Sequence, residues 1–188
     1  WQIVVWIGFF TGMRPSEVLG LTWDRLDFEN QEITVDRQLS RDSKKIFADH
    51  LKTSKSYRKI PFSPYLQRLL LEHRDQHGLG PHALILQNRS GNVWRYKDAS
   101  AMFRLIARPL GFDKGEGMHQ LRHTCASVLI KLGNNAKQIQ EWLGHESILE
   151  TMDTYGHLFP RDLHEVSERL DAYVVGQLEI QHEQRMLA

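Results

Sequence analysis

The amino-acid sequence predicts an α+β fold that is mainly α-helical and carries a small three-stranded antiparallel sheet. Long stretches place apolar residues three and four positions apart, the spacing of amphipathic helices. Residues 32–61 instead contain short runs that alternate apolar and polar side chains and are rich in β-branched residues, as strands are. With 188 residues, 41% of them hydrophobic and 25% charged, the chain is long enough for a single domain over residues 1–188.

The first half is predicted to contain two helices followed by the sheet. Residues 1–11 form a buried helix that ends at Gly12, and Pro15 suits the first turn of a helix that runs to about Gly20. Strands are expected at residues 32–38, 45–50 and 56–61. Lys52 then lies near the turn between the last two strands, where a long side chain can swing into a groove.

The second half is predicted to be almost entirely helical. Helices are expected over residues 64–77, 97–110, 119–132, 136–143 and about 161–178. Gly133 and Gly144 supply helix ends, since glycine after a last turn is the commonest way to stop a helix. Tyr155 lies ten residues beyond His145, roughly 15 Å along a straight helix. A turn at Gly144 and residues 146–147 is therefore needed to bring the two side chains together.

Residues 118–159 place side chains suited to phosphodiester chemistry within one helical segment. His119 and Arg122 are three positions apart and share one face near a helix start. That end of a helix presents unpaired N–H groups and partial positive charge, which favour a phosphate. His145 and Tyr155 follow downstream in the same segment.

These residues stand in motifs that closely resemble the catalytic domain of the tyrosine recombinases, the phage integrase family. The matching motifs are HQLRHTCAS, then LGH, then a tyrosine in TMDTYGHL. Upstream, TGMRPSEVLGLTWDRLDF (residues 11–28) resembles the first arginine box of the family, and HLKTSKSYRKIPF (residues 50–62) resembles its lysine-bearing β-turn. The resemblance implies the fold of that catalytic domain, and no catalytic position departs from the pattern.

The resemblance implies strand transfer in DNA through a covalent intermediate, without a metal or nucleotide cofactor. Tyr155 would attack the scissile phosphorus and form a 3′-phosphotyrosyl link. Arg14 and Arg122 would stabilise the charge that develops on the non-bridging oxygens, and His145 would add a further hydrogen bond. Such an enzyme is a site-specific recombinase that integrates or excises a phage or mobile element.

Proton transfer requires separate groups, which the resemblance also supplies. His119 would accept the tyrosine proton near neutral pH, and Lys52 would protonate the departing 5′-oxygen. Glu17 and His123 are expected to contact the catalytic side chains and hold them in position, without contacting the substrate. The alternative for Glu17 is a plain charge on the helix surface.

The predicted partner is double-stranded DNA, although the formal net charge is only +1. Between Arg37 and Lys59, eight basic residues stand against two acidic ones. The distribution of charge over the surface matters more for DNA binding than the net charge, so this segment is a candidate DNA-facing surface. The residues expected to contact DNA are Lys44, Lys45, Lys55 and Arg58. A solvated surface hairpin would explain the same charges.

Three other functions are compatible with parts of this sequence. His119 and His123 have the spacing of a zinc-binding helix, but position 120 is Gln, not the Glu that a metalloprotease motif requires. A type IB topoisomerase would use the same phosphotyrosine chemistry to relax supercoils. A DNA-binding module that kept the fold and lost catalysis would instead form no covalent complex.

The family resemblance also carries expectations about assembly and setting. The chain starts at Trp1 within an apolar pattern, which is typical of a fragment that lacks the family's N-terminal DNA-clamping domain. Residues 161–188 are expected to provide a helix and tail for contacts between protomers in a homotetramer on paired sites, with a monomer free in solution. One cysteine, Cys125, and the lack of a run of about 18 apolar residues favour a soluble, cytoplasmic protein.

Overall fold

The computed structural model describes residues 1–40, 45–77, 80–88, 90–112, 117–160 and 162–186. Within these ranges the chain forms eight α-helices and one three-stranded sheet, so the predicted α+β class is confirmed. The helices are α1 (Gln2–Thr11), α2 (Pro15–Leu19), α3 (Pro64–His77), α4 (Tyr96–Ala107), α5 (His119–Lys131), α6 (Ala136–Leu143), α7 (Ile148–Tyr155) and α8 (Leu163–Met186). The strands are β1 (Leu26–Asp27), β2 (Glu32–Val35) and β3 (Arg58–Pro61).

The sheet is antiparallel with the order β1-β2-β3. Ile33 on β2 lies opposite Leu26 on β1 and Ile60 on β3. All three side chains are buried, so this face of the sheet packs on the core. The carboxylate of Asp27 accepts hydrogen bonds from two backbone N–H groups of the turn that joins β1 to β2.

The prediction of a strand at residues 45–50 is wrong. The segment makes one isolated bridge and lacks a buried face, since Ile46 is 53% exposed. Lys45 and Asp49 form an ion pair on its surface. The third strand is instead β1, whose two residues are too few to show an alternating pattern. Lys52 is therefore exposed in the segment before β3, which contains a short 3-10 helix (Ser54–Ser56), and it does not lie between two strands.

Helix α1 packs closely against α5 because Gly8 has no side chain. A Cβ atom at Gly8 would lie 2.8 Å from Leu121 Cδ1. Ile3 and Ile7 are buried in the same region of the core. The helix ends at Gly12 with a φ of 61°, in the left-handed region that glycine tolerates, as the sequence predicts.

Helices α5, α6 and α7 follow one another through short polar turns. The first turn contains Gly133, and the side chain of Asn135 caps the start of α6. Gly144 ends α6 with a φ of 71°, and Ser147 caps the start of α7. The predicted turn between α6 and α7 is therefore present, and Tyr155 is the last residue of α7.

The chain divides into two compact units, residues 1–158 and residues 159–188. The first contains α1 to α7, the sheet and the hydrophobic core. The second comprises α8, whose first turn is capped by the Asp162 carboxylate. Across the described part of the chain, we found no helix with the length and apolar character needed to cross a bilayer.

Candidate active site

Three arginines meet at the C-terminal end of α6. Three consecutive backbone carbonyls there each accept one hydrogen bond from a different guanidinium. The pairs are Arg58 Nε with Trp142 O (3.1 Å), Arg122 Nη1 with Leu143 O (2.9 Å) and Arg14 Nη2 with Gly144 O (3.3 Å). The last carbonyls of a helix lack intrahelical partners and carry the negative end of its dipole, so they attract cations. The same helix end leads directly into His145.

The tight turn after α6 depends on Gly144. Its φ of 71° is one that residues with a side chain rarely adopt. A Cβ atom there would also lie 2.9 Å from the Lys55 carbonyl oxygen and 2.9 Å from Arg58 Cδ. The segment before β3 therefore closes directly onto the turn that positions His145.

Arg14 is held at the start of α2 by a buried acidic partner. Its Nη1 group donates to Glu17 Oε1 and to Ser56 Oγ, each at 3.0 Å. Glu17 is 1% exposed, and its Oε2 also accepts the backbone N–H of Arg14 at 2.9 Å. The predicted support of Arg14 by Glu17 thus corresponds to a direct ion pair, and Glu17 does not lie on the helix surface.

The charge of Glu17 is stabilised by two guanidiniums. Burial alone would raise the pKa of this carboxyl, but Arg58 and Arg14 outweigh that effect and the net pKa is lowered. Arg58 Nη2 donates to Glu17 Oε2 at 3.1 Å, and Arg58 Nη1 lies 3.4 Å from Glu17 Oε1. Glu17 therefore carries its negative charge at neutral pH.

Arg122 lies in the buried interior of the site. Its Nη1 group donates to the carbonyl of Gly12 at 2.7 Å and to that of Leu143 at 2.9 Å, which joins the ends of α1 and α6. Burial, together with the nearby charge of Arg14, lowers its pKa to about 10, so the side chain stays charged at neutral pH. Its Nε and Nη2 groups make no hydrogen bond within the described residues.

His145 is buried and neutral. Its Nδ1 atom is hydrogen-bonded to the Thr151 hydroxyl at 2.8 Å, and its Nε2 atom lies 3.7 Å from a Glu150 carboxylate oxygen. Burial, with a further contribution from Arg122, lowers the pKa of His145 to about 4. The imidazole can therefore give a hydrogen bond at neutral pH but does not add a charge.

Tyr155 is buried between two histidines. Its hydroxyl is hydrogen-bonded to His123 Nδ1 at 2.9 Å, and its ring is nearly parallel to that of His145, with centroids 6.4 Å apart. Burial raises the pKa of the phenol, although Arg122 partly opposes the effect. The partner of the hydroxyl is thus His123, which the sequence analysis placed only in a supporting position.

Two other predicted catalytic residues lie on the surface. His119 is the first residue of α5 and is exposed, and Lys52 is exposed in the segment before β3. Their predicted roles in proton transfer stay predictions.

The residues expected to bind DNA fall into different environments. Arg58 is turned inward, with 7% of its side chain exposed, because its guanidinium pairs with Glu17. The predicted contact of Arg58 with DNA stays a prediction. Lys55 is exposed, and Lys45 is exposed but paired with an aspartate, whereas Lys44 lies outside the described residues.

Two residues that the sequence analysis did not single out complete the site. Ser56 connects Arg14 to the segment before β3, and Thr151 connects α7 to His145. Thr151 precedes the candidate nucleophile by one helical turn, a spacing that could have indicated a shared face. No pattern marks Ser56, because its role depends on a contact with a residue 42 positions away.

The assembled site is suited to an anion. Arg14 and Arg58 share the negative charge of Glu17, and Arg122 adds a third guanidinium at the end of α6. These three positive charges outnumber the two nearby carboxylates, Glu17 and Glu150. Arginine presents several N–H donors in one plane, which matches the oxygens of a phosphate. Within the described ranges there is no group of three His, Cys, Asp or Glu side chains placed to hold a metal ion.

Comparisons with known proteins match this arrangement to one family. Residues 2–161 match the phage integrase family. The ICEBs1 integrase of Bacillus subtilis (strain 168) is 28% identical over 172 residues, which cover 88% of this chain and 47% of the relative. A tyrosine recombinase XerC-like protein of Caldanaerobacter subterraneus subsp. tengcongensis is 30% identical over 186 residues, with the same two coverages of 88% and 47%.

A solved structure shares the fold. The Tn1549 transposon integrase in complex with transposon right end DNA has a TM-score of 0.75 at 24% sequence identity, over 92% of this chain and 58% of that chain. The chain therefore belongs to the phage integrase family, as the motifs predict, and has the catalytic-domain fold expected from them. It spans about half the length of the curated relatives that it matches.

Proposed function

We propose that this chain is the catalytic part of a site-specific recombinase that cleaves and rejoins double-stranded DNA through a covalent bond to Tyr155. The observation that carries the proposal is the meeting of Arg14, Arg122 and His145 at the end of α6, in the same buried site as Tyr155. A phosphodiester is the substrate that two fixed guanidiniums, a neutral imidazole and a phenol fit together.

The scissile phosphate would take its hydrogen bonds from the arginine N–H groups that the protein does not already use. Arg122 anchors its Nη1 group to two carbonyls, which leaves its Nε and Nη2 groups to donate to the non-bridging oxygens. Arg14 supplies a second guanidinium from the start of α2. We assign the donor role in the bond between Thr151 and His145 to the Thr151 hydroxyl, because the Glu150 carboxylate 3.7 Å from Nε2 favours a proton on Nε2. That proton is then available for a hydrogen bond to the same phosphate.

The chemical step exchanges one phosphodiester bond for another. The Tyr155 oxygen attacks phosphorus, the bond from phosphorus to the 5′-oxygen breaks, and a 3′-phosphotyrosyl link forms. The phenol proton passes to a histidine, and Lys52 gives a proton to the departing 5′-oxygen. Attack by a 5′-hydroxyl of the partner strand reverses these bonds, so the free energy of the phosphodiester is retained and no cofactor is consumed.

The biological reaction is the integration or excision of a mobile element. The names of the relatives, an integrase and a recombinase, support this class of reaction. Strand exchange between two sites requires four cleavages, which four protomers on paired sites provide. The helix and tail within residues 161–188 form contacts between those protomers, and the protein is a monomer before it binds DNA.

Covalent capture tests the proposal. The purified protein is incubated with a pool of nicked duplex oligonucleotides that have a randomised core, in which cleavage releases a short strand and prevents rejoining. A DNA adduct that survives denaturation and is lost in Tyr155→Phe is expected. A protein that binds the duplexes but yields no adduct, or an adduct that persists in Tyr155→Phe, would overturn the proposal. The captured sequence also identifies the target site.

A further inference from the structure

We propose that Arg58 is a positioning residue, which holds Arg14 and the turn before His145 in the geometry that binds the scissile phosphate. It acts through two contacts, one with the Glu17 carboxylate and one with the Trp142 carbonyl. This inference rests on the proposed function, because Arg14 and His145 are the phosphate-binding residues of that reaction.

Nearly all the N–H donors of the Arg58 guanidinium bond to acceptors within the protein. Arginine has five N–H donors in one plane. Four hydrogen bonds from them are directed at three partners in the protein. They run from Nε to Trp142 O (3.1 Å), from Nη1 to Ser56 O (3.0 Å) and Glu17 Oε1 (3.4 Å), and from Nη2 to Glu17 Oε2 (3.1 Å). Little of the group remains to contact a DNA phosphate.

The carboxylate of Glu17 transmits the position of Arg58 to Arg14. Each Glu17 oxygen accepts from both arginines, because Oε1 also bonds Arg14 Nη1 at 3.0 Å and Oε2 also bonds the Arg14 backbone N–H at 2.9 Å. With Arg58 in place the carboxylate cannot rotate without breaking four bonds. Arg14 is therefore held at both its backbone and its guanidinium.

Arg58 also supports the turn that leads into His145. Its side-chain stem packs against Gly144, where an added Cβ would lie 2.9 Å from Arg58 Cδ. Its Nε group bonds the carbonyl of Trp142, two residues before that turn. Loss of Arg58 would leave a buried carboxylate and a helix-end carbonyl with fewer partners, and both adjoin the phosphate site.

The test compares Arg58→Gln and Arg58→Lys with a matched control, Arg68→Gln. Arg68 is also an arginine paired with a glutamate, but it lies on α3, outside the candidate DNA-facing segment, and 63% of its side chain is exposed. Single-turnover capture is measured at saturating amounts of the captured duplex, and the dissociation constant is measured separately. We expect the rate for Arg58→Gln to fall by roughly 10²-fold, the scale of a displacement of about 1 Å.

The other variants define what kind of contact Arg58 makes. Arg58→Lys should recover part of the rate, because a lysine keeps the charge but has no planar fork. Arg68→Gln should cleave like the unaltered protein, and DNA affinity should be the same in all four proteins. A fall in affinity for Arg58→Gln with a normal rate at saturation would show a DNA contact and overturn the proposal, as would an unaltered rate.

A methylphosphonate at the scissile position separates positioning from general damage. The methylphosphonate removes the negative charge that Arg14 contacts. The fall in cleavage rate caused by Arg58→Gln should therefore be smaller on this substrate. A fall in cleavage rate of equal size on both substrates would indicate a loss of folded protein. It would contradict the proposal that Arg58 acts by positioning Arg14.

A crystal structure of Arg58→Gln keeps this inference separate from the proposed function. Displacement of the Arg14 guanidinium away from Gly144 is expected. If the unaltered protein forms no adduct while Arg14 moves in the variant, the proposed reaction is wrong and the positioning role stands. If Arg14 and the turn before His145 do not move, the positioning role is wrong whatever the reaction.

Discussion

Arg14 and Arg122 donate hydrogen bonds to adjacent backbone carbonyls, those of Gly144 and Leu143. The two arginines lie 108 positions apart in the sequence, and the end of α6 fixes the separation of their guanidiniums. His145 follows these carbonyls directly. The C-terminal end of one eight-residue helix therefore organises the candidate phosphate site.

Substitution of Gly144 should be far more damaging than substitution of Gly133. Both residues have positive φ, 71° and 86°, so alanine costs about 1–2 kcal/mol at either position from backbone strain. At Gly144 the new Cβ also collides with the Lys55 carbonyl and Arg58, whereas at Gly133 it meets open space. Urea unfolding should show a larger loss of stability for Gly144→Ala. Equal losses would mean that the close approach of Arg58 to this turn is absent in solution.

His145 should make the folded state less stable as the pH falls from about 6.5 to about 4. Its pKa is lowered to about 4 in the folded protein from an ordinary value of 6.5. In this window the unfolded chain binds a proton that the folded chain does not, so protons favour unfolding. Above pH 6.5 the effect disappears.

Thermal unfolding across this pH range measures the effect of His145. His123 and His73 also have lowered pKa values, so the unaltered protein alone would not isolate one residue. His145→Asn removes the contribution of His145 and leaves the other two. Its melting temperature should therefore decline less steeply with acidification, and parallel curves would show that His145 is not held neutral.

His119 and His123 should differ in their effect on cleavage. The hydroxyl of Tyr155 bonds His123, but burial and Arg122 lower the pKa of His123 and make it a weak proton acceptor. His119→Gln is expected to reduce the single-turnover rate by roughly 10²-fold or more, the contribution of a general base.

The dependence of the rate on pH identifies the acceptor. His123→Gln should cleave faster than His119→Gln and keep the fall in rate at low pH that reports the base. If His123→Gln instead removes that pH dependence while His119→Gln retains it, the proton passes to His123 and the assignment drawn from the family resemblance is wrong.

Lys52→Ala should be rescued by a better leaving group. If Lys52 protonates the departing 5′-oxygen, a 5′-bridging phosphorothioate, which leaves without a proton, restores cleavage by the variant. Capture rates on the sulfur and oxygen substrates measure this directly. An equal defect on both substrates would exclude Lys52 as the general acid and leave it as a DNA contact.

Local signals in the sequence are sufficient to predict much of this fold. Gly12 and Gly144 correctly predicted the ends of α1 and α6, because the positive φ needed at those positions is a local requirement. Strand β1 was missed because two residues do not show an alternating pattern. The segment 45–50 was mistaken for a strand because its composition suits one while its side chains face solvent.

The contacts inside the site depend on tertiary structure. The charge of the segment before β3 predicts a DNA surface, but it cannot distinguish the exposed Lys55 from Arg58, which turns inward to a carboxylate 41 residues earlier. In the same way, the motif that contains Tyr155 does not reveal its bond with His123, which joins two helices. The catalytic roles themselves stay predictions drawn from chemistry and family resemblance.

A crystal structure of the protein soaked with vanadate would show directly whether the two arginines and His145 bind one phosphate-like anion. We expect one anion at the end of α6, within hydrogen-bond distance of the guanidiniums of Arg14 and Arg122 and of Nε2 of His145. Arg58 should keep its bonds to Glu17 and not touch the anion. An anion bound elsewhere, or one held by Arg58 with Arg122 turned away, would contradict the account.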